Sequence, residues 1–156
     1  LIYTAIYLFM NLAAFACVLA MRREGDAVEN IYDLAGASRT HPAMALALAA
    51  ILFSMAGIPP LAGFFGKLYV LQAAVEAHLY ILAVVGVLAS VVSCFYYIRL
   101  IKVMYFDEAS DPLDGPMPRD LGMVLGVATI VILLFIVLPG PIVSEATAAA
   151  QQLFQN

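Results

Sequence analysis

Residues 53–71 read FSMAGIPPLAGFFGKLYVL, and the fold turns on what this stretch can become. It is apolar enough to sit inside a bilayer, yet it holds Pro59 and Pro60 in succession, glycines at 57, 63 and 66, and Lys67. A proline supplies no backbone N–H, so this pair leaves the carbonyls of Met55 and Ala56 without their usual helical donors. In hydrocarbon such a gap persists only where protein or water re-satisfies the freed groups. Lys67 follows and is the one basic residue placed well inside an apolar segment. A helix interrupted beside a buried charge is the arrangement from which membrane ion paths are built.

Segment length points the same way. Residues 42–77 as one straight helix would reach ~50 Å, well beyond the ~30 Å of a hydrocarbon core. An interruption at Gly57, Ile58, Pro59 and Pro60 divides the segment into two half-helices, residues 43–56 and a second ending near Glu76. The alternative is one kinked, tilted helix projecting from both faces. Two adjacent prolines flanked by glycines favour a true break. Thr40 is the expected N-cap, with Pro42 in the first helical turn.

Upstream, residues 1–21 are long enough to cross once and end at Arg22-Arg23. Thr4, Tyr7 and Asn11 share one face of that helix, which should look into a bundle. There they either bond between helices or line a water path. Within the polar loop 22–41, residues 29–36 suit a short surface helix stopping at Gly36. Downstream, residues 79–106 carry Ser90, Ser93 and Tyr97 at the same spacing on one face. Tyr96, Tyr97 and Tyr105 suit an aromatic belt, with Arg99 and Lys102 at the headgroups. Residues 107–120 contain five acids and three prolines and read as a solvated loop. Residues 121–138 are apolar all round, and Gly122 and Gly126 hint at a close helix contact. Pro139, Gly140 and Pro141 stop that helix, and residues 142–156 suit a short helix along the membrane surface.

The expected fold is therefore an all-α membrane protein, residues 1–156 forming one membrane domain. About four transmembrane helices span roughly 1–21, 42–77 (broken at 57–60), 79–106 and 121–138. Composition agrees: 65% of residues are hydrophobic, 12% charged, and the mean hydropathy is +1.00. A net charge of −4 lacks the basic footprint of nucleic-acid binding. Cys17 and Cys94 fall in apolar segments and read as small hydrophobes, neither a disulfide nor half of a metal site. The chain opens at Leu1 within an apolar run, without an initiator Met, as expected for the C-terminal part of a longer chain. Lys and Arg concentrate in the 22–41 and 99–120 connections and are missing from 77–79 and the tail. That alternation fits four crossings with both basic connections cytoplasmic.

The chemistry narrows to Lys67. Glu76, the one acid on its segment, lies nine residues away, ~13 Å along a helix. A lysine stem spans about half of that, so the ammonium must be hydrated, paired or neutralised where it sits. Burial lowers a lysine's proton affinity and a carboxylate restores it, so occupancy responds to a moved charge or an added water. A proton relay needs that property; a lysine fixed permanently by an ion pair or by the Met55 and Ala56 carbonyls does not. Asn11, Ser54, Ser90, Ser93 and Tyr97 are candidate supporting polar groups. His41, His78 and Glu76, at segment ends, are candidates for proton entrance or exit, against ordinary interfacial roles. The sequence has no phosphate-cradling glycine loop after a strand, no CxxC and no nucleophile–base pair, so no cofactor or metal is expected here.

The run SMAGIPPLAGFFGKLYVL, residues 54–71, closely resembles the discontinuous helix late in the antiporter-like subunits of respiratory complex I (NADH:quinone oxidoreductase). Its GIPPLAGFFGK core is most similar to the N-type subunit; M-type subunits usually place a glutamate where Lys67 stands. YLFMNLAAFA (residues 7–16) and DLAG (residues 33–36) match too, and the resemblance covers the whole chain. It implies an inverted-repeat fold in which Lys67 is the broken-helix lysine of a polar axis along the membrane arm. It implies proton translocation coupled to quinone reduction, with no redox centre in this chain. NADH, FMN, iron–sulfur clusters and quinone would sit elsewhere in the complex. It implies M-type and K-type neighbours, a lipid bilayer around the chain, and a missing carboxylate partner on absent helices or a neighbouring subunit. The location implied is the bacterial inner membrane, or alternatively the mitochondrial one. Two other functions share these features: a multi-subunit (Mrp-type) cation/proton antiporter, and a purely structural membrane anchor.

Overall fold

The computed structural model describes residues 2–108, 113–115 and 117–137. The expected proline stop at 139–141 and the surface tail at 142–156 lie outside them. Helix α1, Ile2–Ala20, is followed by a hairpin of two-residue strands, β1 Arg22–Arg23 and β2 Asp26–Ala27, paired antiparallel. A 3-10 turn at Ile31–Leu34 and the four-residue helix α2, Ala37–Thr40, lead to α3, Pro42–Ala56. Then come α4, Ala62–Glu76, α5, Tyr80–Phe106, and α6, Arg119–Val137. The result is an all-α membrane fold. Among the described residues, α1 and α5 alone are each long and apolar enough to cross a membrane, whereas α3 and α4 are 15 residues each.

Packing follows residue size. Met10, Ala13 and Cys17 make a buried stripe on α1, and Leu125, Ala128 and Ile132 make one on α6. The small members let the two backbones come close, and α1 lies against both α6 and α3. On the polar face of α1, Tyr7 lines a cavity beside Lys67, whereas Asn11 departs from expectation. Asn11 Nδ2 donates to the Tyr7 carbonyl of its own helix at 2.7 Å, and Thr4 and Tyr7 stay exposed in this chain. An amide that reaches the carbonyl one turn back is satisfied locally and needs no second helix.

Three local expectations are corrected. Thr40 is the last residue of α2, so it lacks the extended backbone of an N-cap; His41, at φ −132°, takes that place ahead of Pro42. The short helix expected within 29–36 is confined to Ile31–Leu34 and takes the 3-10 form, the Asn30 side chain accepting from Tyr32 N–H at its start. Gly36, at φ 70°, then opens α2 rather than closing a longer helix. On α6, a Cβ at Gly126 would meet nothing within 4 Å, and one at Gly122 only the Met117 side chain. Ala128 is the buried small residue of this helix, while the glycines line an apolar groove against α3.

Both basic connections meet on one face, opposite the 77–79 turn. Asp114 clasps the hairpin: its carboxylate accepts from Glu24 N–H at 2.8 Å and Gly25 N–H at 2.7 Å. Asp114 N–H donates to the Arg22 carbonyl at 2.7 Å. Glu24 and Gly25 both hold positive φ, which aims their N–H groups together at the carboxylate. Arg99 donates to the Tyr32 hydroxyl at 2.7 Å, and Arg23 pairs with Asp33 at 2.9 Å. The backbone bonds from Gly25 and Glu24 hold the exposed Asp114 carboxyl below its ordinary range, with Arg22 and Arg23 adding attraction. A depressed acid stabilises the clasp above its unfolded value and ceases to do so as pH falls through its folded one. Amide-exchange protection at Glu24 and Gly25 should therefore hold at neutral pH and fade below about pH 4. Asp114→Ala should remove it at neutral pH.

Candidate functional site

The site grows from the way α3 ends. Gly57 sits at φ 85°, its N–H donates to the Ser54 carbonyl at 3.0 Å, and Ile58 N–H reaches back to Phe53 at 3.1 Å. This is a Schellman stop, which needs a residue at ease in the left-handed region. Ile58, a cis Pro59–Pro60 bond and Leu61 then carry the chain to α4.

Lys67 lies back across that stop. A Cβ on Gly57 would stand 3.1 Å from Lys67 Cδ and 3.4 Å from Nζ, so the glycine makes room for the stem. The ammonium donates to the Ala56 carbonyl at 3.2 Å and to Ser90 Oγ on α5 at 2.7 Å. Ala56 is one of the two carbonyls that the prolines deprive of a helical donor, and the lysine supplies the replacement. Pro60 does not share a helical face with Gly63 and Lys67, because α4 begins only at Ala62 and Pro60 is exposed.

The remaining glycines set the neighbours. A Cβ on Gly63 would land on the Ser54 carbonyl oxygen, and one on Gly66 would stand 3.2 Å from the Tyr3 ring. α4 thus touches α3 through one glycine and α1 through the other. Ser54, fully buried, fastens the first contact: its Oγ accepts from Gly63 N–H at 3.0 Å and donates to Met10 Sδ at 3.2 Å.

Two cavities meet at Lys67. One, of about 170 Å³, is lined by Tyr7 and Met10 of α1, Met55 of α3, and Ser93 and Tyr97 of α5. The other, of about 260 Å³, lies between α4 and α5 against Val70, Leu71, Gly86, Ala89 and Ser90. Lys67, Tyr3 and Ser93 line both. On α4 and α5 the first cavity is displaced toward the basic loops and the second toward the 77–79 turn.

The sequence-derived candidates separate accordingly. Lys67, Ser90, Ser93 and Tyr97 come together; Ser93 Oγ also donates to the Ala89 carbonyl at 2.9 Å. Ser54 supports the helix break, and Asn11 is turned to its own helix. His78, at φ 60°, sits in the 77–79 turn with Nδ1 3.0 Å from the Tyr80 hydroxyl, beside exposed Glu76. His41 is on the opposite face, with Nε2 3.2 Å from the Gly115 carbonyl. Tyr3 was not singled out from the sequence, although it stands one turn before Tyr7 and stacks on it at 5.6 Å. Among the described residues no three His, Cys, Asp or Glu side chains group as metal ligands. The arrangement offers an exchangeable ammonium, hydroxyl groups and space for water.

Comparison with known proteins gives a consistent picture. A family model described as NADH:quinone oxidoreductase/Mrp antiporter, TM, matches residues 1–93. The NADH-quinone oxidoreductase subunit N of Paramagnetospirillum magneticum is 58% identical over 99% of this chain and 32% of its own length. That of Rhodospirillum rubrum is 56% identical over 98% of this chain and 31% of its own. A chain in a solved structure, respiratory complex I from Thermus thermophilus with bound aureothin, superposes with a TM-score of 0.76 at 29% identity. That match covers 89% of this chain and 32% of the other. The chain thus spans about a third of the length of the curated relatives it matches.

Proposed function

The chain belongs to the NADH:quinone oxidoreductase/Mrp antiporter membrane family, and from that premise we propose that it forms part of an N-type, proton-translocating membrane-arm subunit of NADH:quinone oxidoreductase. Its spans cross at about residues 1–21, 42–77, 79–106 and 121–138, in a bacterial inner membrane, beside M-type and K-type subunits. Lys67 takes up and releases protons at the helix break. NADH, FMN, iron–sulfur clusters and quinone are handled by other subunits.

One observation carries this reading: the Lys67 ammonium bonds to a backbone carbonyl freed by the break and to a serine hydroxyl, between two cavities large enough for water. Those partners are uncharged, so they leave the proton exchangeable. Ser93 and Tyr97 line the loop-side route; Glu76 and His78 stand at the turn side and His41 at the loop side.

The experiment is to purify the assembly that contains this chain from detergent-solubilised membranes. Flavin and iron–sulfur absorbance, with quinone reduction by NADH, is the expected result. An assembly without these chromophores that exchanges cations for protons would select the antiporter function instead.

A further inference from the structure

Among the described residues, the proton-bearing group bonded to Lys67 is Ser90. The serine oxygen is 2.7 Å from Nζ, the shorter of the lysine's two bonds, and it belongs to a different helix. Ser90 lines the turn-side cavity but not the loop-side one, where Tyr7 and Tyr97 stand instead. The Ala56 carbonyl can accept a hydrogen bond but has no proton to pass on. A serine hydroxyl both donates and accepts. At about 260 Å³ the turn-side cavity is large enough to admit water, each molecule needing ~30 Å³. Val70, Leu71 and Gly86 form its wall beyond Ser90, and a Cβ on Gly86 would already stand 3.3 Å from Leu71 Cδ2.

From this placement we propose that Ser90 is the group through which Lys67 exchanges protons with the turn-side cavity, making the α4–α5 interface one limb of the path. The inference rests on Lys67 being an exchanging group. In the outward step an N–H bond of the ammonium breaks as its proton passes to Ser90 Oγ. The serine's own O–H proton leaves at the same time to a cavity water. Lysine is left neutral, serine regains a hydroxyl, and the water becomes hydronium, so atoms and charge balance. The inward step is the reverse. With lysine neutral, the Ser90 hydroxyl turns to donate to Nζ, and the same bond keeps the amine in place until it is recharged.

The test uses the complete enzyme in liposomes and measures protons translocated per NADH oxidised. Ser90→Ala should cut translocation about a hundredfold or more, in the range of a lost proton-transfer group. Ser90→Thr, which keeps a hydroxyl at that place, should stay within about twofold of wild type and retain its solvent deuterium isotope effect. Gly86→Val, which narrows the cavity beyond the serine, should slow translocation without touching Lys67. Equal losses in Ser90→Ala and Ser90→Thr would make the serine a packing residue and overturn the proposal. So would normal translocation in Ser90→Ala, or in Gly86→Val should Ser90→Ala fail to assemble. Lys67→Arg separates the two levels: if it is impaired while Ser90→Ala is normal, only the Ser90 path fails. If Lys67→Arg translocates normally, the reading of Lys67 fails with it.

Discussion

Lys67→Met should reduce proton translocation by about two orders of magnitude or more, the scale of a positioned acid–base group, while the enzyme still assembles. The methionine stem can occupy the channel over Gly57 that the lysine stem fills, so the break keeps its packing. What disappears is the donor to the Ala56 carbonyl and to Ser90. Lys67→Arg sharpens the result. Arginine keeps the positive charge and can bond to the same oxygens, but its guanidinium does not release a proton. If Lys67 acts only through its charge, the arginine variant translocates normally and methionine alone is defective. If Lys67 exchanges protons, both fail. Proton uptake into liposomes, measured beside NADH oxidation, distinguishes the cases, and normal uptake with methionine would leave this chain a structural anchor.

Gly63→Ala should have a large effect on folding. The new Cβ would coincide with the Ser54 carbonyl oxygen, a backbone atom that cannot rotate aside. α4 would have to retreat from α3, which would part Gly63 N–H from Ser54 Oγ and strain the bond from Ser54 to Met10. Overpacking of this kind costs about 1–3 kcal/mol. A buried N–H losing its partner costs a further ~1–3 kcal/mol. Lower yield and a lower unfolding temperature of the assembled complex should follow. Ser54→Ala, which removes the bond without adding volume, should show only the second part. A fully stable Gly63→Ala enzyme would contradict the contact between the two half-helices.

Much of the fold was legible because its strongest constraints are local. Pro59 and Pro60 remove donors wherever they occur in a helix, and a segment too long for the bilayer has to be divided. The interruption could therefore be placed before any neighbour was known. Lys67 stood out for a similarly local reason, its depth within an apolar segment. Its partners were less accessible. Ser90 could be assigned to a polar face of its helix, but its bond to Lys67 joins residues 23 apart and depends on how α5 is rotated against α4. The misplaced details share that origin. Asn11 chose its own backbone, Thr40 lost its cap because α2 runs up to it, and Gly126 faces a groove whereas Ala128 is the buried small residue of α6. Spacing tells which residues share a face; it does not tell which face finds a neighbour.

The abrupt end of α3 has an electrical consequence. An α-helix carries roughly half a negative elementary charge at its C-terminus. At Ala56 that end is directed at the Lys67 ammonium. The partial charge that this end contributes is made of peptide groups, which do not titrate and which no side-chain substitution removes. The positive N-terminal end of α4, which begins at Ala62, stands at the same break and offsets part of that charge. A change in the protonation of Lys67 would therefore alter the charge of the site by one unit against a fixed peptide background.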